Sequence, residues 1–313
     1  MNIKKQVKSL LILLVSIQFC FGQQNLEEQT KKHFNFYIAN DLGRNGYYEQ
    51  KPIAELMGQM AENINIEFIS APGDVHHFDG VASINDPLWM TNYELIYSHP
   101  ELMIQWYPLL GNHEYRGNTQ AVLDYTKVSR RWVMPARYYT QVYTLNNNES
   151  IRIIYLDTTP LIDKYRKETE KYPDAVNQSI EKQTEWLENT LKTSKEKWKL
   201  VIGHHPIYAQ TPKDDEERAD MQKRVDPILR KYKVDMYVSG HIHNFQHIKL
   251  KGTDIDYVVN TSASKSRKVK AIEGTVFCSP DAGFSLVSAD ADELKLYFIN
   301  SKGEVLHTIT KRK

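Results

Sequence analysis

Five short stretches place residues of metal-ligand type directly after apolar runs. They are Asp41 in Asn40-Asp41-Leu42-Gly43, Asp74 in Pro72-Gly73-Asp74, and Asn112 with His113 in Gly111-Asn112-His113-Glu114. His204 and His205 come next in Gly203-His204-His205-Pro206, and His241 and His243 in Gly240-His241-Ile242-His243. Carboxylate, carboxamide and neutral imidazole are the donors that hold divalent cations. Ligands of open α/β sheets bind beyond the carboxyl ends of the strands, so such residues at several strand ends can meet in one place. Taken singly, each has an ordinary explanation. An aspartate after a strand caps a helix, an asparagine after glycine forms a turn, and an isolated histidine packs or faces solvent. The set resists that account: counting His76 and His77 beside Asp74, 7 of the 11 histidines fall in four of these motifs. Gly240 lets the chain turn sharply, and an extended segment after it would point His241 and His243 the same way.

The elements that must position these residues are short. Apolar runs at 34–39, 66–71, 106–110, 199–202 and 234–239 read as buried strands, each leading into one motif. Residues 138–145 and 151–156 read as a hairpin across Asn146-Asn147-Asn148. Amphipathic spacing predicts helices at 51–63, 178–191 and 222–231, and residues 86–99 are expected to be helical with Pro87 near the start. From Phe245 onward the pattern is β-rich, with strands expected at 246–249, 255–259, 284–288, 294–299 and 306–309. This predicts one α/β domain over 23–313, two stacked mixed sheets flanked by helices.

Composition is that of an ordinary globular chain with length enough for a sizeable core: 313 residues, 41% hydrophobic, 25% charged, net charge +1. With 40 basic and 39 acidic residues interspersed, no basic surface argues for nucleic acid or an anionic membrane. The charge runs at 211–220 and 163–175 read as solvated faces or as walls of a pocket. Lys4, Lys5 and Lys8 precede an apolar run from Leu10 to Phe21, too short to span a bilayer comfortably. Cys20-Phe21-Gly22 then supplies a small-residue cleavage pattern, so 1–22 reads as a signal peptide and the protein as exported, periplasmic or extracellular. A membrane anchor or a lipoprotein at Cys20 is the competing reading. After cleavage only Cys278 remains, which excludes an internal disulfide.

The ordered set D-x-G, G-D-x-x-H, G-N-H-E, G-H-x-P and G-H-x-H resembles the calcineurin-like metallophosphoesterases, and among them the small, tartrate-resistant type of purple acid phosphatase. Asp74–Val81, Gly117–Trp132, Leu156-Asp157-Thr158 and Gly240–Asn244 extend the similarity over essentially the whole mature chain. The resemblance implies a dinuclear metal centre. Asp74 would bridge both metals, Asp41 and His243 would bind one, and Asn112, His204 and His241 the other. Asn112 and His113 would also contact substrate, His113 assisting the leaving group, while His205 would hold the substrate phosphate and Asp157 would be structural. The expected reaction is hydrolysis of a small phosphomonoester by hydroxide activated between two metals. Phosphodiester or nucleotide pyrophosphate cleavage at the same site, and metal or phosphate binding without catalysis, are the alternatives.

One departure stands out. Purple enzymes carry an iron-binding tyrosine three residues after the bridging aspartate, and this chain has His77 there. Other members take the ligand from histidine in D-x-H, where this chain has Gly43. His77 is the expected replacement, with His76 the alternative. Neutral imidazole in place of phenolate leaves two protein carboxylates, which balance two divalent ions as the purple set balances a trivalent and a divalent one. Imidazole also suits Zn, Fe(II) or Mn better than Fe(III). A colourless, all-divalent centre is therefore expected.

Overall fold

The structure, a computed structural model, describes residues 26–212 and 215–313; the expected signal peptide lies outside them. Among the described residues no helix is long and apolar enough to cross a membrane. Strand β1 (Phe34–Ile38) is followed by helix α1 (Gln50–Ala61), β2 (Phe68–Pro72) and β3 (Gln105–Leu109). A hairpin of β4 (Tyr139–Thr144) and β5 (Ser150–Leu156) leads to α2 (Ile180–Thr193), β6 (Trp198–Gly203), α3 (Asp215–Arg224), α4 (Asp226–Lys231) and β7 (Met236–Ser239). The β-rich end comprises β8 (Phe245–Lys249), β9 (Asp256–Val259), β10 (Thr275–Ser279), β11 (Gly283–Ala289), β12 (Glu293–Asn300) and β13 (Val305–Arg312).

These strands form the two expected mixed sheets. The first has order β13-β12-β11-β1-β2-β3 and the second β10-β8-β9-β7-β6-β5-β4. The two half-sheets that carry the site are parallel, β1-β2-β3 in one and β5-β6-β7 in the other. That arrangement puts all their carboxyl ends at one edge. It also explains the unbroken apolar runs: strands covered on both faces need no polar alternation, and every residue of β2 and β7 is buried. The inner faces meet through aromatic rings. Phe34 and Phe68 of the first sheet lie 4.8 and 5.0 Å from Tyr143 of the second, and Phe245 stacks on Phe298 at 4.5 Å. Helix α1 buries Ile53, Ala54, Met57 and Met60. Helix α2, capped by the Ser179 hydroxyl accepting from Lys182 N–H, buries Leu187 and Leu191.

Two expectations are corrected, and one strand was not foreseen. Regular helix in 86–99 is confined largely to a π-helical turn at Met90–Glu94. The helix expected over 222–231 begins at Asp215 and breaks at Val225, where Pro227 opens α4. Strand β10, whose sequence Thr-Val-Phe-Cys-Ser pairs with β8, has too short an alternation to stand out.

Candidate metal centre

The two parallel half-sheets present their ends to each other, and side chains from both close the gap. Asp41 follows β1, Asp74 follows β2, Asn112 and His113 follow β3, His204 and His205 follow β6, and His241 and His243 follow β7. The His204 ring donates from Nδ1 to the Pro72 carbonyl across the sheets (2.9 Å), and the His241 N–H donates to Asp41 Oδ2 (2.9 Å). Asp41, Asp74, His241 and His243 all have positive φ, between 53° and 70°. Asp, Asn and His tolerate this region better than most residues, yet each instance costs on the order of 1 kcal/mol. Four such residues persist because the surrounding bonds over-determine them. Gly240 is required by space, since a Cβ there would run into the Asn40 amide and the Asp41 carboxylate.

Asp74 Oδ2 is the point of convergence: His204 Nε2 lies 3.3 Å away, His77 Nε2 3.6 Å and His113 Nε2 3.8 Å. Asp41 Oδ1 sits 3.0 Å from His243 Nε2, and Asn112 Oδ1 3.3 Å from His204 Nε2. Potential ligand atoms gather within 4.8 Å of one another in four sets: Asp41/His77/His243, Asp74/His77/His113, Asp41/Asp74/His204 and His204/His205/His241. Every expected ligand except Asn112 is in one of them, and Asn112 reaches His204. His77, not His76, joins the sets. The His76 ring is edge-on to Trp89 at 4.4 Å, with Nδ1 3.4 Å from the Asn92 amide. Gly43 also explains why no ligand comes from that position: any side chain would collide with the Val75 carbonyl.

The residues fit a pair of cations. His204 and His243 each donate Nδ1–H to a backbone carbonyl, Pro72 and Lys265. Their Nε2 lone pairs are thereby turned toward carboxylate oxygens, the arrangement that fixes the tautomer of a metal-bound histidine. Acceptor facing acceptor is reconciled only by an extra proton or a cation. Accordingly, although burial opposes a charge on His204, Asp74 and Asp41 push its pKa up to about 10. Both nitrogens of buried His77, and Asp41 Oδ1, have no hydrogen-bond partner, each at a cost of about 1–3 kcal/mol. Burial holds His77 neutral, with a pKa well below its ordinary value. Burial likewise opposes ionisation of Asp74, but His204, His113 and His77 keep its carboxyl well below the usual range.

His113 donates Nδ1–H to the Phe78 carbonyl (2.5 Å), which aims Nε2 toward Asp74. Burial, reinforced by Arg116, lowers its pKa, with Asp74 opposing. His205 is fully buried, with Nδ1 2.9 Å from the Thr158 hydroxyl and Nε2 3.0 Å from the Tyr165 hydroxyl. Asp157 accepts from the Tyr115 hydroxyl and braces the loop after β5.

Two carboxylates matter that sequence reasoning passed over. Glu114 accepts from the N–H groups of Asp74 (2.9 Å), His76 (2.9 Å) and Gly111 (2.7 Å), tying the loops after β2 and β3 together. Burial, with the nearby Asp74 charge, pushes its pKa up to about 7. Glu217 lies in the charge run read as solvated or pocket-lining, yet it is buried on α3 and Oε2 sits 3.0 Å from His241 Nε2. Its other oxygen takes Tyr165 (2.8 Å) and Lys164 (3.0 Å). Glu217 shares the buried face of α3 with Met221, but the charged run around them hides that spacing in the sequence.

The calcineurin-like phosphoesterase family matches residues 34–245. The chain belongs to that family. Purple acid phosphatase 3 of Arabidopsis thaliana is 32% identical over 287 residues, 87% of this chain and 76% of the relative. Human tartrate-resistant acid phosphatase type 5 is 28% identical over 268 residues, 81% of each chain. Among solved structures, GAP50, described as the anchor in the inner membrane complex of Plasmodium, superposes with a TM-score of 0.77 at 25% identity, covering 90% of this chain and 89% of its own. A purple acid phosphatase of yellow lupin, at 18% identity and a TM-score of 0.62 over 90% of this chain and 54% of its own, shares the fold.

Proposed function

We propose that residues 23–313 form an exported dinuclear-metal phosphatase acting on small phosphomonoesters. The observation that carries this reading is the convergence on Asp74 Oδ2 of imidazoles from three strand ends, beside the unsatisfied His77 nitrogens and Asp41 Oδ1. Asp74 would be shared by two cations, Asp41, His77 and His243 completing one set and Asn112, His204 and His241 the other. With a neutral imidazole at position 77, the set would balance two divalent cations and leave the protein colourless. Bound cations would supply an activated water and neutralise phosphoryl charge. His113 protonates the leaving oxygen from Nε2, the nitrogen that faces Asp74 when Nδ1 is held by the Phe78 carbonyl. His205, buried beneath His241, orients the phosphate pocket through Tyr165.

The test is hydrolysis of p-nitrophenyl phosphate beside its bis-ester, before and after chelation. The monoester is expected to be preferred, chelation to abolish turnover and divalent ions to restore it. Chelator-insensitive hydrolysis, or preference for the diester, would contradict the reading.

Glu217 gives a second prediction. A carboxylate behind a ligating histidine fixes its orientation, and its loss typically weakens metal binding about 10–100-fold. Glu217→Ala is expected to show that loss in competition titration against a chelator, and Glu217→Gln, which can still accept from His241, a smaller one. Unchanged affinity in Glu217→Ala would remove His241 from the ligand set or Glu217 from its support.

A further inference from the structure

One oxygen of the Asp41 carboxylate is occupied by the protein and the other is left open. Oδ2 accepts from the Asn40 side-chain amide at 2.5 Å and from the His241 N–H at 2.9 Å. Oδ1 is buried without a hydrogen-bond partner and lies 3.0 Å from His243 Nε2. The backbone of Asp41 is fixed as well. Its N–H donates to the Gly73 carbonyl at 3.1 Å, and its carbonyl accepts from the Ser262 and Ser264 hydroxyls at 2.9 and 2.7 Å. The two carboxylate oxygens are therefore held in different roles and cannot exchange them freely.

The amide that covers Oδ2 is itself oriented by a chain of donors from the interior. Ser285 on β11 donates its hydroxyl to Asn260 Oδ1 at 2.7 Å, Asn260 Nδ2 donates to Asn40 Oδ1 at 2.5 Å, and Asn40 Nδ2 donates on to Asp41. Asn260 Nδ2 also reaches the Ile38 carbonyl at 3.0 Å, and Asn40 Nδ2 the Thr261 carbonyl at 3.1 Å. Turning the Asn40 amide over would set its oxygen against a carboxylate and a carbonyl, and its nitrogen against the Asn260 donor. Only one orientation satisfies the neighbours. Asn40, Asn260 and Ser285 are all fully buried, where each bond of such a chain polarises the next and a missing partner is costly. The chain joins the two sheets, since Asn40 and Ser285 belong to the first and Asn260 follows β9 of the second.

A carboxylate can offer a cation one oxygen or both. Both oxygens suit larger ions that collect many oxygen ligands, whereas small ions of low coordination number are held through one. We propose that Asn40 is a positioning residue that closes Asp41 Oδ2, commits the carboxylate to a cation through Oδ1 alone, and so tilts the Asp41/His77/His243 set toward Zn(II) over Mn(II). This rests on the dinuclear reading and adds a selectivity that the ligand types alone do not carry. Without the Asn40 amide, Oδ2 would keep only the His241 N–H and regain a lone pair. That extra hard oxygen suits Mn(II) and offers little to Zn(II), which imidazole already satisfies.

The experiment titrates metal-stripped wild type, Asn40→Ala and Ser285→Ala with Zn(II) and with Mn(II) against a competing chelator, reading both stepwise affinities for each ion. In Asn40→Ala the preference for Zn(II) over Mn(II) is expected to fall about tenfold or more at one step and to stay as in the wild type at the other. Ser285→Ala acts on the same amide from the far end of the chain and removes only a hydroxyl. It is expected to move the same preference in the same direction by a smaller factor, and it keeps the test open where loss of the Asn40 side chain prevents folding. Equal weakening of both ions, or a preference unchanged in the variants that fold, would show a merely structural role and overturn the inference alone. A wild type that binds fewer than two ions of either metal would overturn the dinuclear reading and this inference with it.

Discussion

Asp74→Asn should reduce bound metal from two ions per chain to one at most and lower kcat/KM by about a thousandfold or more. The effect originates in one oxygen. Asp74 Oδ2 faces the Nε2 atoms of His204, His77 and His113 at 3.3, 3.6 and 3.8 Å, while Oδ1 accepts the His113 N–H at 3.0 Å. Asparagine keeps the shape and can still accept from His113, but removes the charge that two cations would share. Metal-ion stabilisation is worth several kcal/mol, and each 1.36 kcal/mol is tenfold in rate. The charge is also what holds His204 protonated at about pKa 10 in the protein alone, so the variant should show a lower His204 pKa by NMR. Full metal content and near-normal rates in Asp74→Asn would contradict the bridging role.

His113→Ala should cost about 10²–10⁴-fold on substrates with poor leaving groups and much less on p-nitrophenyl phosphate, whose phenolate departs without a proton. The donor must be the doubly protonated ring, because Nδ1–H is committed to the Phe78 carbonyl. Burial and Arg116 lower its pKa below the ordinary histidine value, and nearby cations would lower it further. The acid form exists only below that pKa. Activity on alkyl phosphates should therefore fall as pH rises through a limb lying below about 6.5, and His113→Ala should lose that limb. An equal loss on both substrate types, with the limb intact, would assign His113 to positioning instead.

The fold and much of the site could be read from the chain because the strands that carry them are parallel and doubly covered. Such strands are unbroken apolar runs, and the residues just beyond them are chemically conspicuous: Asp41, Asp74, Asn112, His204, His241. Spacing after a strand end distinguished His77 from its neighbour only by resemblance; the reason that His77 faces the site and His76 faces Trp89 is a loop conformation with no sequence period. Glu217 was unreadable for a different reason. It lies in a run of charged residues whose average character is that of a solvated face, and a single buried member of such a run becomes visible only when α3 is seen to set it against His241. Glu114 stood in plain view within a motif, but its work is to accept three backbone N–H groups, and backbone partners leave no trace in residue type. Strand β10 and the broken helix at Val225 were missed where edge position and a proline overrode local pattern.

A divalent pair held partly by His77 is the central claim. Metal analysis of the purified protein, with anomalous scattering at the site and a visible spectrum, tests it directly. Two divalent ions per chain, one within bonding distance of His77, and no intense visible band are predicted. Stoichiometric Fe(III) with a strong charge-transfer band, or a single ion with His77 unliganded, would contradict it.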